Sequence, residues 1–230
     1  MIVLGIDTST VTASIAILDE EKILALLTSE GKLTHSCTIL PMIDKALEMS
    51  NLTVKDLSAI AVNIGPGSFT GLRIGLSVAY GISYPYNIPI ISIDTLESYV
   101  YNHLYFSGIV CPMIDARREN VYTGLYRTDK DKVETIKESF AICIYDLIDM
   151  LNMQNEDVIF TGDGAYKNES ILKEKLKIKF NFAPALYSRN SAANTAQIGI
   201  NKLKNNEIIP NEKIKIRYLR PTRAELYKNE

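Results

Sequence analysis

The sequence predicts an α/β protein built from two similar halves, and three observations predict it. Short apolar, β-branched runs alternate with stretches of helical periodicity along the chain. The chain opens with three strands joined by polar turns before its first helix. That opening recurs: Ile6-Asp7 leads into a hairpin, and so does Ile114-Asp115. The match is one of pattern rather than identity, and hairpins are common, so duplication and coincidence both stand on this evidence. The expected division is a first half over 1–106 and a second over 107–230, with the boundary near Ser107-Gly108.

Residues 2–6 form a short apolar run that stops at Asp7-Thr8-Ser9-Thr10, all turn or cap formers, and read as a buried strand. Strands are expected at 12–18 and 23–28, across the polar turn Asp19-Glu20-Glu21-Lys22. A helix follows over 36–49, where Ile39, Leu40, Ile43 and Leu47 recur at helical spacing and Pro41 falls within the first turn or so. A strand at 58–64 is broken by Gly65-Pro66-Gly67-Ser68, and a helix runs over 70–84 to Pro85. Then come a strand at 89–93 and a helix at 95–105. In the second half, strands are expected at 109–114, 120–126, 133–140 and 157–161, with a polar turn at 129–132. Helices are expected at 145–151, 167–177 and 192–204.

The chain has 230 residues, 47% of them apolar, enough for a substantial core. A formal net charge of -2 argues against a protein that grips RNA by itself. Three scattered cysteines (Cys37, Cys111, Cys143) make no disulfide framework and no paired zinc motif, which points to a reducing cytoplasm. The N-terminus lacks the pattern of a signal peptide, and no apolar run suggests a membrane span.

Four segments could carry chemistry. Asp7, Thr8 and Ser9 follow a buried strand, where open α/β sheets place ligands, but turn chemistry explains them as well. The run from Gly65 through Phe69 to Gly75 is a glycine-rich turn into a helix that could receive an anion. It has no lysine where a P-loop needs one. Within that helix Gly71, Gly75 and Ala79 form a small-residue ridge beside Leu72 and Leu76. Interior glycines cost about 1 kcal/mol each against alanine, so close approach of another element is the expected reason, whether that element is internal or belongs to another protein. Asp115 with Arg117 and Arg118 offers groups that recognise phosphate or carboxylate, or simply a charged corner. Gly162 and Gly164 open a helix after a strand and could admit a nucleotide base or sugar, or form a plain turn. The two histidines, His35 and His103, make no helical metal pair, and no G-x-S-x-G elbow is present, so no catalytic or metal residue is assigned.

Three strands followed by alternating helices and strands, performed twice, is similar in plan to the actin-like ATPases, whose two ribonuclease-H-like halves face a nucleotide cleft. The segments Leu4-Gly5-Ile6-Asp7-Thr8-Ser9, His35-Ser36, Gly65 to Gly75, Asp115-Ala116-Arg117-Arg118-Glu119 and Tyr218-Leu219-Arg220 together resemble the TsaB family, formerly called YeaZ. The first of these has Ser9 where actin-like ATPases carry a phosphate-loop glycine, and the Asp115 segment has no glycine at all.

The resemblance implies a non-enzymatic subunit in the synthesis of threonylcarbamoyladenosine in tRNA. Such a chain binds the transferase TsaD and helps recruit the ATPase TsaE, and it reaches tRNA only through the complex. By that analogy the contact with TsaD falls on Ile39, Leu40, Ile43, Leu47, Gly71, Leu72, Gly75, Leu76 and Ala79. The same surface would make a homodimer of the chain alone. Asp7, Thr8, Ser9, Asp115, Arg117, Arg118, Gly162 and Gly164 would line a vestigial nucleotide cleft. No cofactor is implied, apart from ATP or ADP at the TsaD junction. The competing expectations are an actin-like ATPase or a glycoprotease-like peptidase acting alone.

Overall fold

A computed structural model describes residues 1–30, 34–130 and 132–220. The first stretch forms β1 (Val3–Asp7), β2 (Ala13–Leu18), β3 (Ile23–Ser29), α1 (His35–Ser50), β4 (Ala59–Gly65), α2 (Phe69–Ser83), β5 (Ile90–Asp94) and α3 (Thr95–Val100). There follow β6 (Ile109–Asp115), β7 (Asn120–Asp129), β8 (Lys132–Cys143), α4 (Ile144–Asn152), β9 (Val158–Thr161), α5 (Asp163–Lys167), α6 (Glu169–Lys175), β10 (Phe180–Phe182) and α7 (Ala192–Lys204). Among the described residues no helix is long and apolar enough to cross a membrane.

Two five-stranded sheets share one topology. The first has the order β3-β2-β1-β4-β5 and the second β10-β9-β6-β7-β8. In each, the first three strands are antiparallel and the fourth and fifth join the first strand's other side in parallel. Each central strand ends in an aspartate, Asp7 or Asp115. The recurrence visible in the sequence is therefore a repeat of strand order, the order expected of a ribonuclease-H-like half.

Period-two alternation decides what covers the first sheet. Leu4 and Ile6 of β1 face a core shared with Ile39, Ile43 and Leu47 of α1 and with Leu76 and Ala79 of α2. Val3, on the opposite face, packs with Ala61, Ile93 and the apolar side of α7. At Gly5 the backbone of α7 comes so close that a Cβ would overlap the carbonyl oxygen of Ala192. The second sheet buries Ile109, Met113, Val158 and Phe160 against Leu147 and Leu151 of α4 and Leu172 of α6.

Several boundaries differ from the sequence reading. The described chain divides into one unit of Met1–Asn102 with Arg189–Ile216, and a second of His103–Ser188 with residues 217–220. A single cut at 106/107 fails for 189–216, because α7 supplies the apolar cover that β1, β4 and β5 need. Residues 221–230, assigned to the second half, lie outside the described residues, as does Asp131 of the turn at 129–132. The helix expected at 167–177 is two short helices that meet at Asn168, whose side chain donates to the Gly164 carbonyl instead of facing solvent. The helix expected at 95–105 stops at Val100 and tightens into a 3-10 turn. Pro41 lies in the second turn of α1 rather than the first, on its exposed side, where water can meet the carbonyl it leaves unpaired.

Candidate functional site: a helical face and two strand-end loops

The outer faces of α1 and α2 form the first candidate. Asn51, in the left-handed region at φ 53°, ends α1 and donates its amide to the Glu48 carbonyl. Ser68 caps α2 by accepting the Gly71 amide at 3.2 Å. Of the residues expected to meet a partner, Ile39, Ile43, Leu47, Gly71, Leu72, Gly75, Leu76 and Ala79 are all buried inside the first unit. Leu40 is 49% exposed. The correction has a simple cause: the apolar stripe of an amphipathic helix marks the side turned to its own sheet. The small-residue ridge exists, but it meets β1 and its following loop. A Cβ on Gly71 would overlap the Thr8 carbonyl, and one on Gly75 would overlap the Thr8 hydroxyl.

The complementary face does reach solvent. An open groove of about 410 Å³ runs along it, lined by Ser36 of α1 and by Phe69, Thr70, Arg73, Ile74, Ser77 and Val78 of α2. The Arg73 guanidinium lies over the Phe69 ring, 3.8 Å from its centroid. Sequence reasoning missed these residues, although they are what remains once the buried stripe is removed.

The second candidate is the loop after β1, and its polar groups are occupied by the chain itself. Asp7 accepts from the Ser9 amide at 2.9 Å and the Ser9 hydroxyl at 2.6 Å. Thr8 donates its hydroxyl to the Gly71 carbonyl at 2.7 Å. The Ser68 amide donates to the Ser9 carbonyl at 2.7 Å, and Gly67 lacks the Cβ that would strike it. Behind Ser9 runs a buried polar chain that the sequence did not disclose. Ser98 donates to Asn190 at 2.6 Å, and Thr195 donates to Asn63 at 3.2 Å. Burial pushes the Asp7 carboxyl above its ordinary range, against the lowering effect of its bonds from Ser9 and of Asn63. His35, expected at the helix start, bonds through Nε2 with the Thr10 carbonyl at 2.8 Å.

In the second unit the structure brings Asp115, Arg117, Arg118, Gly162 and Gly164 to one end of the sheet, after β6 and β9. Asp115 accepts the Arg117 amide at 2.9 Å and the Lys167 ammonium at 2.5 Å. Asp163 accepts the Gly164 amide at 2.9 Å and the Asp115 amide at 3.3 Å, and burial raises its carboxyl pKa. Gly162 has φ 92°, and a Cβ there would overlap the Met113 carbonyl, so both glycines serve close packing on β6. Arg117, Arg118 and Glu119 are consecutive and all left-handed, with φ of 62°, 52° and 57°. L-residues adopt this region at a cost of roughly 1 kcal/mol or more each. Besides the backbone bonds that close it, the turn is held by Asn120 donating to the Arg118 carbonyl at 2.6 Å, Arg220 donating to the Ala116 carbonyl at 3.0 Å and the Ile144 amide donating to the Glu119 carbonyl at 2.8 Å. Among the described residues no group of three or more His, Cys, Asp or Glu is placed to hold a metal ion. Cys111 is buried, which pushes its thiol up to about 12.

The family model of TsaD, tRNA N6-adenosine threonylcarbamoyltransferase, matches residues 28–228. The tRNA threonylcarbamoyladenosine biosynthesis protein TsaB of Bacillus subtilis (strain 168) is 34% identical over 179 residues, 78% of each chain. The chain belongs to the TsaB (YeaZ) family. TsaB of Buchnera aphidicola subsp. Schizaphis graminum is 34% identical over 200 residues, covering 83% of this chain and 95% of its own. Among solved structures, YeaZ from Pseudomonas aeruginosa superposes with a TM-score of 0.76 at 21% identity, over 95% of this chain and 99% of that one. TsaB membership and the doubled strand order together give the fold class, that of the actin-like ATPases.

Proposed function

We propose that this chain is a non-catalytic scaffold subunit of tRNA threonylcarbamoyladenosine synthesis, that it docks TsaD on the outer face of α1 and α2, and that the pair helps recruit TsaE in the cytoplasm. The observation that carries the reading is the groove bounded by Phe69, Arg73, Ile74 and Val78, an apolar floor with a cation at its rim, on a rigid two-helix support. The names of the relatives supply the pathway. Occupation of the β1 loop by its own hydroxyls supports an accessory role over an ATPase acting alone, because Thr8 and Ser9 already bond within the chain. A nucleotide at the TsaD junction is compatible with this reading, and tRNA is reached through the complex.

The test is reconstitution with the cognate TsaD, TsaE and carbamoyl-adenylate synthase, together with titration calorimetry against TsaD. The chain alone modifies no tRNA and completes the activity of the mixture. Leu40→Glu and Val78→Glu each weaken TsaD binding at least about tenfold, some 1.4 kcal/mol; the melting temperature is unchanged for exposed Leu40 and falls for Val78, which packs partly against the core. Undiminished binding by both variants rejects the face. Modification of tRNA by TsaD without this chain rejects the role.

A further inference from the structure

Arg117, Arg118 and Glu119 hold left-handed backbone in succession, and all three are exposed. Asn51, Asn87 and Asn206 adopt the same region singly. Asparagine tolerates it because its short side chain bonds locally, and arginine and glutamate have no such means. Glycine would fit the turn with less strain. An exposed arginine held at such a φ is therefore held for its side chain. Strained backbone of this kind gathers where ligands are met.

The side chains above the turn are free while the groups beneath it are engaged. Among the described residues neither guanidinium makes an ion pair or a hydrogen bond. Asp115 gives one oxygen to the Arg117 amide and the other to the Lys167 ammonium. Asp163 is taken up by the Gly164 and Asp115 amides. Glu119 is then the turn's one exposed acid, set against two exposed cations. Residues 115–120 include no large apolar side chain, so the surface lacks the apolar centre of a protein interface. Planar forks on a polar ground suit phosphate oxygens.

We propose that Arg117 and Arg118 grip backbone phosphates of the tRNA when the chain is assembled with TsaD. This deepens the proposed function and rests on its reading that tRNA is reached through the complex. The turn is the place where this chain itself touches the RNA. The contact positions the RNA and reads no base. Two phosphates add to what the rest of the assembly holds, a share that suits a chain of net charge -2. The α1–α2 groove takes no part in it.

Fluorescence anisotropy of labelled tRNA with TsaD saturated by this chain, at salt from about 50 to about 300 mM, tests the contact. Arg117→Gln and Arg118→Gln each weaken tRNA binding about threefold, and together they lower the slope of log Kd on log salt by about 2. Arg118→Lys keeps the charge without the fork and loses less. Arg118→Gly separates side chain from backbone: it melts above the parent and still loses the affinity. Calorimetry gives all variants the parent's affinity for TsaD. Unchanged tRNA binding and salt slope in the double Gln variant overturn the proposal. So does loss of TsaD binding in place of tRNA binding, which would make an acidic protein face the partner of the turn. A parent chain that fails to bind TsaD rejects the docking face instead, and the same titration of the full chain alone at about 20 mM salt then decides. There, salt-dependent binding weakened by Arg118→Gly upholds the contact, and no binding overturns it.

Discussion

The hydroxyl of Thr8 donates to the Gly71 carbonyl, and Gly71 approaches the Thr8 carbonyl so closely that no Cβ fits between them. The end of β1 and the start of α2 are thereby fastened together in both directions. Gly71 and Gly75 are explained by this fastening rather than by a partner's helix.

A glycine series separates the two explanations. Gly71→Ala meets backbone and costs about 2–3 kcal/mol net of the gain in helix propensity. Gly75→Ala meets only the Thr8 hydroxyl and costs less. Gly81 faces open space, so Gly81→Ala gains up to about 1 kcal/mol. Denaturant unfolding of the three variants checks the order.

Asp7 supplies a pH test. Its carboxyl pKa is raised in the folded chain, so the native state binds the proton more tightly than the unfolded state. Stability therefore falls as pH rises from the ordinary carboxylate value toward the raised one. Asp7→Asn keeps an acceptor for Ser9 and raises the melting temperature at pH 7. That gain fades as pH falls through the raised value and is gone only below the ordinary value of 3.8, where both states of the parent hold the proton. A gain that persists at low pH would point to packing instead.

His103 has the opposite sign. Burial lowers its pKa to about 4, against a bond to the Tyr187 carbonyl that raises it. The unfolded chain takes up the proton first, near pH 6.5, so stability is complete above that value and declines as pH falls toward 4. The loss is at most about 3 kcal/mol, and His103→Gln removes it from the pH profile of unfolding.

The left-handed turn predicts an unusual surface substitution. Arg118→Gly relieves an unfavourable φ at 52°, offset by the freedom glycine gains when unfolded, and stabilises the chain by about 0.5–1 kcal/mol. Arg127→Gly inside β7 destabilises, since it removes the paired bonds to Glu156. Thermal melts of the two variants should move in opposite directions.

Much of this architecture was legible, and the misses share a cause. Ile39, Ile43 and Leu47 announced α1 because a helix on a sheet must repeat its apolar side chains. The same repeat cannot say whose surface it meets, so interior residues stood in for the docking face. Gly71 and Gly75 announced a close approach without naming Thr8. The polar chain from Asn63 to Asn190 was invisible because its members lie far apart in sequence and each looks ordinary alone. A charged corner at Arg117–Glu119 was one of the readings, but its left-handed backbone escaped because arginine and glutamate carry no signature of it. Strand β10 is too short to show alternation.

The return of α7 has a consequence for biosynthesis. The ribosome completes β1 through β5 long before it reaches Ala192, and until then Val3, Ala61 and Ile93 have no cover. At about 5–20 residues per second, translation of the intervening segment takes on the order of 5–20 seconds. Throughout that interval the nascent first sheet offers a bare apolar side to chaperones or to its neighbours on a polysome.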